Sequence, residues 1–267
     1  MKVSHELPPS LMSYSYQWND YEYCLPVFID RYEQYRLFFQ KARLDKRFII
    51  MDNSLFEGYK HTEQDLFDKM WIVKPNIFIV PDEWNNSIIT LQNAKHWMIN
   101  NITYLPEGTN LMAVCQGKTI DELITTYQTL IDIGYKHIAF NHSSIAYTEF
   151  YSQRKLLNAQ MLGRIELIRT LLEKDTIRKD IYHHLLGCSL PQEMLAYSEF
   201  DWIKSVDTSN PIIVGSEGVR YGDNGVDYKP KNKIEDLFNI NLKDKLEDII
   251  FNVNKFKSYV KKSIITV

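Results

Sequence analysis

Phe48-Ile49-Ile50-Met51-Asp52, Ile77-Phe78-Ile79-Val80-Pro81-Asp82 and Ile203-Lys204-Ser205-Val206-Asp207 are three short apolar runs, each with an aspartate at or just past its end. Two similar runs end in other polar groups: Leu111-Met112-Ala113-Val114-Cys115-Gln116-Gly117 and His184-Leu185-Leu186-Gly187-Cys188. Amphipathic stretches of helical period separate them. Short hydrophobic runs alternating with such helices read as βα units around a parallel sheet. In a closed barrel of such units the strand C-termini meet on one face, and that face carries the chemistry. Three carboxylates and an amide there point to a site that reads a small polar ring and attacks beside it. The length, 267 residues, suits one α/β domain of the TIM-type (β/α)8 barrel class.

Working outward, the pattern predicts strands at 1–7, 47–53, 76–80, 110–115, 137–141, 181–186 and 202–206. Ile212-Ile213-Val214 is the candidate eighth. Helices are expected over 28–44, from Thr62 as N-cap, from Asn86 to about 100, and from Thr119 as N-cap to Ile133 with Gly134 at C′. Another spans 154–174, with Leu156, Leu157, Met161, Ile165, Ile168 and Leu172 on one side. Pro191 suits the first turn of a short helix. Residues 215–233 read as a long loop, and 234–260 as helical. No repeat, low-complexity tract or composition break divides the chain, so one domain is expected.

Hydrophobic residues make up 45% of the chain, enough for a full core. A net charge of -3 gives no global argument for nucleic acid, so such a partner needs a local basic patch. Cys24, Cys115 and Cys188 are far apart, in neither a zinc-ribbon nor a disulfide pattern. That argues for a reducing cytoplasm. The first residues lack an apolar leader and no stretch reaches membrane-spanning length, so a soluble intracellular protein is expected.

Four segments carry the chemistry: Met51-Asp52-Asn53-Ser54-Leu55-Phe56-Glu57, Val114-Cys115-Gln116-Gly117, Leu185-Leu186-Gly187-Cys188 and Ser205-Val206-Asp207-Thr208-Ser209-Asn210-Pro211. In that order they resemble the motif series of the tRNA-guanine transglycosylase superfamily. Within it they look closest to the DpdA-like branch of bacteria and phages, which inserts 7-deazaguanine bases into DNA. Ser54-Leu55 replaces the small pair usual in the first motif, which bears on loop shape and substrate width. The zinc-binding cysteines of the tRNA enzymes are missing, as is their lysine-rich C-terminal segment. Both absences fit a different polynucleotide.

The resemblance implies a role for each matched residue. Asp207 matches the nucleophile, whose carboxylate holds C1′ as a covalent intermediate while bases exchange. Without the motif, a turn cap in Asp-Thr-Ser-Asn-Pro would explain it. Asp52 matches the second catalytic aspartate, which takes and returns the proton of the base; an Asx-turn with Asn53-Ser54 is the alternative. Asp82 matches the reader of the guanine edge, whose N1–H and 2-amino group are paired donors; a helix cap is the alternative. Gln116, Gly117, Gly187 and Cys188 would meet O6 and the C7 substituent. Gln116 could instead bond within its loop, and Cys188 reads as a small packed residue.

His183-His184 alternates, so only one can face the interior. With His5, His137 and His142 these invite a metal reading, but no ligand spacing supports one, and no metal or cofactor is expected. His5, at the first strand end, is the histidine placed near substrate. Phe56 and Tyr221 could stack on a base, or simply pack. Arg220, Lys229, Lys231 and Lys233 form the local basic group for phosphate contacts, with Arg154 and Lys155 at a helix start. The expected partners are DNA and a free 7-deazaguanine such as preQ0, with no membrane; a homodimer or partner proteins stay open. Rival readings are a tRNA transglycosylase, a nucleoside or N-glycoside hydrolase, and an inactive polynucleotide-binding subunit.

Overall fold

The computed structural model describes residues 1–188, 190–197 and 199–262. The elements are β1 (Lys2–His5), α1 (Ser15–Trp18), β2 (Glu22–Cys24), α2 (Val27–Arg31), α3 (Glu33–Leu44), β3 (Ile49–Met51), α4 (Glu63–Val73), β4 (Ile77–Ile79) and α5 (Ser87–His96). They continue as β5 (Asn110–Cys115), α6 (Ile120–Ile133), β6 (His137–Asn141), α7 (Leu156–Glu173), β7 (Tyr182–Leu186), β8 (Ile203–Thr208), α8 (Asn210–Ser216) and α9 (Leu246–Lys262). Eight parallel strands form one sheet in the order β1-β8-β7-β6-β5-β4-β3-β2, a (β/α)8 fold of the TIM type. Among the described residues no helix is long and apolar enough to cross a membrane. By packing, the chain divides into two compact units: Tyr21–Phe140, and Met1–Asp20 together with Asn141–Val267.

In the unit Tyr21–Phe140, β3 and β4 are buried at every residue. Continuous apolar runs of this kind suit parallel strands covered on both faces. Thr62 and Asp65 form a reciprocal capping box that starts α4. Thr119 Oγ1 accepts the Glu122 N–H (3.1 Å) to start α6, and Gly134 ends that helix at φ +110°. These are the caps expected from sequence.

Four assignments need correcting. Ile212-Ile213-Val214 is not a strand but the buried body of α8. Pro211 lies in its first turn, where a fixed φ favours helix, and a short apolar run has no period that separates the two states. The missing strand is β2, which pairs with β3 through Glu22↔Ile49 and Cys24↔Met51. It opens on a buried glutamate, which Arg47 neutralises at 2.8 Å; it therefore lacks an apolar signature. The helix expected over 28–44 is broken at Tyr32, whose φ and ψ (-131°, 104°) are extended. The helical tail contains two short 3-10 turns, Ile234–Leu237 and Lys243–Lys245, before α9.

In the other unit, β8 lies beside both β1 and β7. The buried face of α7 is Ala159, Gly163, Arg164, Ile165, Leu167, Ile168 and Leu171, while Leu156 is 61% exposed. The leucine stripe read from sequence is thus rotated, because a charged residue and a glycine occupy the inner face. Gly163 is there for space. A Cβ on it would lie 2.3 Å from Tyr147 O and 2.6 Å from Tyr147 Cα, in the turn Ile145–Glu149. Gly163→Ala is therefore expected to lose about 2–3 kcal/mol or more, the range for overpacking against backbone. Urea unfolding checks it; an unchanged midpoint would mean that this contact yields freely.

Candidate active site

The unit formed by Met1–Asp20 and the chain from Asn141 carries Asp207. Its position in β8 is in register with Ser4 of β1. Oδ1 of Asp207 lies 2.9 Å from His184 Nε2 and accepts the Gly187 N–H at 3.0 Å. His184 Nδ1 lies 2.8 Å from Ser205 Oγ, and the Tyr182 hydroxyl donates to that same oxygen at 2.8 Å. Tyr182 and His184 are two apart on β7, as are Ser205 and Asp207 on β8. A register shift between His183 and His184 sets His184 opposite Ser205. His183 packs edge-on against Trp202, with centroids 4.8 Å apart.

Gly187 is held from its other side as well. Arg164, fully buried on α7, donates from Nη2 to the Gly187 carbonyl (3.0 Å) and from Nη1 to that of Leu186 (3.3 Å). Its Nε reaches Glu193 Oε1 at 2.7 Å, and Tyr197 donates to the same oxygen at 2.6 Å. Burial, the largest influence, pushes the Arg164 pKa down, but the charges of Glu193 and Tyr197 and the hydrogen bond to Glu193 together outweigh it and hold it above its ordinary value. Gly187 sits at φ +68°, and a Cβ there would fall 2.4 Å from His142 Nδ1. His142 Nε2 lies 3.0 Å from Lys229 Nζ. Burial lowers both pKa values, and the Lys229 and Arg164 charges push His142 down further.

Of the expected phosphate contacts, Lys229 is thus turned inward to His142. Arg220 is committed to α9, bonding Asp248 at 2.6 Å and Glu247 at 2.7 Å and lying over Phe251. Lys231 and Lys233 are exposed, and the Lys233 N–H bonds Asp236. Cys188 is packed, its thiol donating to Leu190 O at 3.0 Å and pushed well up by burial. Tyr221 is core, bonded to Asn210 and stacked on Tyr259. His5 is in register with Thr208, the residue after Asp207. The His5 Nδ1 bonds Asn19 Oδ1 (2.9 Å), its ring meets Phe256 of α9 edge-on, and its buried Nε2 has no hydrogen-bond partner among the described residues.

The unit Tyr21–Phe140 carries the other carboxylates. Both oxygens of buried Asp82 are engaged by amides: Oδ1 by Asn53 Nδ2 and Oδ2 by Gln116 Nε2, each at 2.7 Å. Asn53 Nδ2 also meets Val80 O (2.9 Å), and its Oδ1 takes the Leu55 N–H (2.9 Å). Gln116 Oε1 takes the Asn85 N–H (3.2 Å). Burial raises the Asp82 pKa while the two amides oppose it. Asp52 Oδ2 accepts the Ser54 N–H at 3.1 Å, an Asx-turn with Ser54 left-handed at φ +61°. Gly117 lets α6 close in, since a Cβ would lie 3.0 Å from Leu123 N. Phe56 is 41% exposed and meets Trp84, 44% exposed, edge-on at 6.0 Å.

Sequence reading singled out Asp207, Asp82, Gln116 and Gly187 without the residues that hydrogen-bond to them. His184, Ser205 and Tyr182 were legible only as i, i+2 pairs on two apolar runs. Arg164 and Glu193 gave no local signal. Trp84 stood beside Asp82 as a large aromatic in a polar loop. Among the described residues no group of three His, Cys, Asp or Glu is arranged to hold a metal ion. Chemically, Asp207 is a carboxylate oriented through one oxygen, and Asp82 a carboxylate framed by amides near an exposed aromatic pair. No protein-family model matches the chain, and no curated protein matches it.

Burial pushes His183 down to about 3 and His5 to about 4. The unfolded chain takes up these protons near pH 6.5, the folded chain only at 3–4. Stability present above pH 6.5 is therefore lost as pH falls toward those values, by up to about 1.4 kcal/mol per pH unit for each histidine. His183→Phe should flatten the slope of unfolding free energy between pH 6.5 and 4. A slope equal to the wild type would mean that His183 titrates normally in the fold.

Proposed function

We propose that this chain is a base-exchange transglycosylase of the tRNA-guanine transglycosylase type, replacing guanine in DNA with a 7-deazaguanine such as preQ0. The observation that carries the reading is the Asp207 carboxylate. Both of its hydrogen bonds among the described residues fall on Oδ1, which leaves Oδ2 outside the clamp. A nucleophile held in this way suits attack at a sugar carbon. In the proposed first half, Oδ2 bonds to C1′ and the C1′–N9 bond breaks. The base leaves with that electron pair and takes a proton from the Asp52 carboxyl. In the second half the incoming base gives its N9 proton back to Asp52 and attacks C1′, and the pair of the C1′–O bond returns to Asp207.

Asp82 is assigned to the base edge. Its oxygens already accept one amide each, and each retains a lone pair for N1–H and the 2-amino group. Burial raises its pKa, and donors on its oxygens oppose that rise. Phe56 and Trp84 offer the aromatic surface on which a planar base can lie. Supporting DNA over tRNA are the DpdA-like motif series and the absence of a zinc cysteine pattern. Lys231 and Lys233 are exposed and are assigned to phosphate contacts, and a base inside a duplex must be extruded at roughly a few kcal/mol. The enzyme would act in the cytoplasm, of a bacterium or of a phage-infected host.

Labelled guanine and 7-deazaguanine offered with DNA and, separately, tRNA test the reading. Asp207→Asn should lower exchange by roughly 10³-fold or more and abolish the covalent adduct. Asp82→Asn turns a donor toward the base's donors and should weaken use of the free base by about 10²-fold or more. Replacing Lys231 and Lys233 by Ala should flatten the salt dependence of DNA binding without changing which base is accepted. Incorporation into tRNA alone would overturn the DNA assignment, and release of base without replacement would favour an N-glycoside hydrolase.

A further inference from the structure

We propose that His184 is a positioning residue: its Nε2–H pins Oδ1 of Asp207 so that Oδ2 is the oxygen that bonds C1′, with Ser205 and Tyr182 fixing the tautomer. This rests on the transglycosylase reading and adds a residue and a division of labour to it. The geometry runs along two strands. Nε2 of His184 stands 2.9 Å from Oδ1, and Nδ1 stands 2.8 Å from Ser205 Oγ. A neutral imidazole carries one proton. Were it on Nδ1, two lone pairs would face each other at 2.9 Å in a site where His184 is fully buried and Asp207 nearly so. That arrangement is costly away from water.

The Tyr182 hydroxyl donates to Ser205 Oγ, which leaves the Ser205 proton to be given to Nδ1. The donors then run one way: Tyr182 to Ser205, Ser205 to His184, His184 to Asp207. The second donor on Oδ1 is the Gly187 N–H at 3.0 Å, itself held by the Arg164 grip on the Gly187 carbonyl.

Two fixed donors on one carboxylate oxygen act differently in the two halves of the exchange. In the first, they orient the carboxylate, and Oδ1 becomes the carbonyl oxygen of the glycosyl ester. In the second, the C1′–Oδ2 bond breaks and its pair returns to the carboxylate. The donors then meet growing negative charge on Oδ1, where preorganised hydrogen bonds are worth most. The His184 proton never leaves Nε2. Losing it should therefore slow departure of the carboxylate more than its attack.

The test uses the full-length protein with DNA and labelled base. In His184→Leu, kcat should fall about 10–10²-fold with the KM for free base unchanged, and the covalent DNA adduct should accumulate. His184→Gln, which keeps an N–H near the same place, should recover most of the rate. Ser205→Ala keeps the imidazole and serves if His184→Leu does not fold. It should give an intermediate kcat and a mixed-tautomer ¹⁵N spectrum. The wild-type ¹⁵N-histidine spectrum should place the His184 proton on Nε2. A proton on Nδ1 overturns the proposal whatever the activity is. So does wild-type kcat in His184→Leu when Asp207→Asn is dead. Full exchange by Asp207→Asn instead removes the transglycosylase reading, and the His184 role with it.

Discussion

Gly187 is the joint on which the Asp207 site depends. Its N–H turns to Asp207 Oδ1, its carbonyl to Arg164 Nη2, and its bare Cα to the His142 ring. These demands can be met together only at φ +68° and only without a side chain. The joint needs Arg164 on one side to hold it and β7 on the other to feed it. A buried Arg–Glu pair is weak evidence for net stability, because desolvation offsets most of its attraction. What the Arg164–Glu193 pair does supply is direction: a rigid fork of donors that sets two successive carbonyls, and hence the N–H that follows from them.

The two units solve one problem in two ways. A buried carboxylate at a strand end must be hydrogen-bonded, yet keep lone pairs for a ligand. Asp207 is met by an imidazole nitrogen and a backbone N–H on a single oxygen, so it is asymmetric. Asp82 is met by one amide on each oxygen, so it is symmetric. Asymmetry suits a group that forms one bond at one atom. Symmetry suits a group that pairs with two donors at once. The split in proposed roles follows this difference in hydrogen bonding, which the residue types alone do not contain.

The fold was legible because apolar runs ending in Asp, Gln or Gly recur between capped helices, and each cap is a local event that sequence records. β2 was not, because its buried Glu22 is made tolerable by Arg47, 25 positions away. α8 was not, since Ile212-Ile213-Val214 has too few residues to show a period. The proposed nucleophile and edge reader were found through motifs, whereas their supports depend on pairing between strands. His184 meets Ser205 only because of the register shift after His183, and no spacing along the chain predicts a register. Arg220 and Lys229 read as surface cations in a loop. Their partners, on α9 and at His142, are set by tertiary packing.

The relay is a set of polar side chains on two neighbouring strands. Tyr182, His184, Ser205 and Asp207 form a polar column along β7 and β8, and three of the four are fully or almost fully buried. An incomplete column of this kind would be a liability, since each unmet group in a low-dielectric interior loses its hydration for nothing. This one closes, because each hydroxyl and ring nitrogen in it has a partner within 2.9 Å. A hydrophobic layer would stabilise the two strands at least as well, but it could not tell one carboxylate oxygen from the other. The column is therefore better explained by the orientation of Asp207 than by the stability of the sheet.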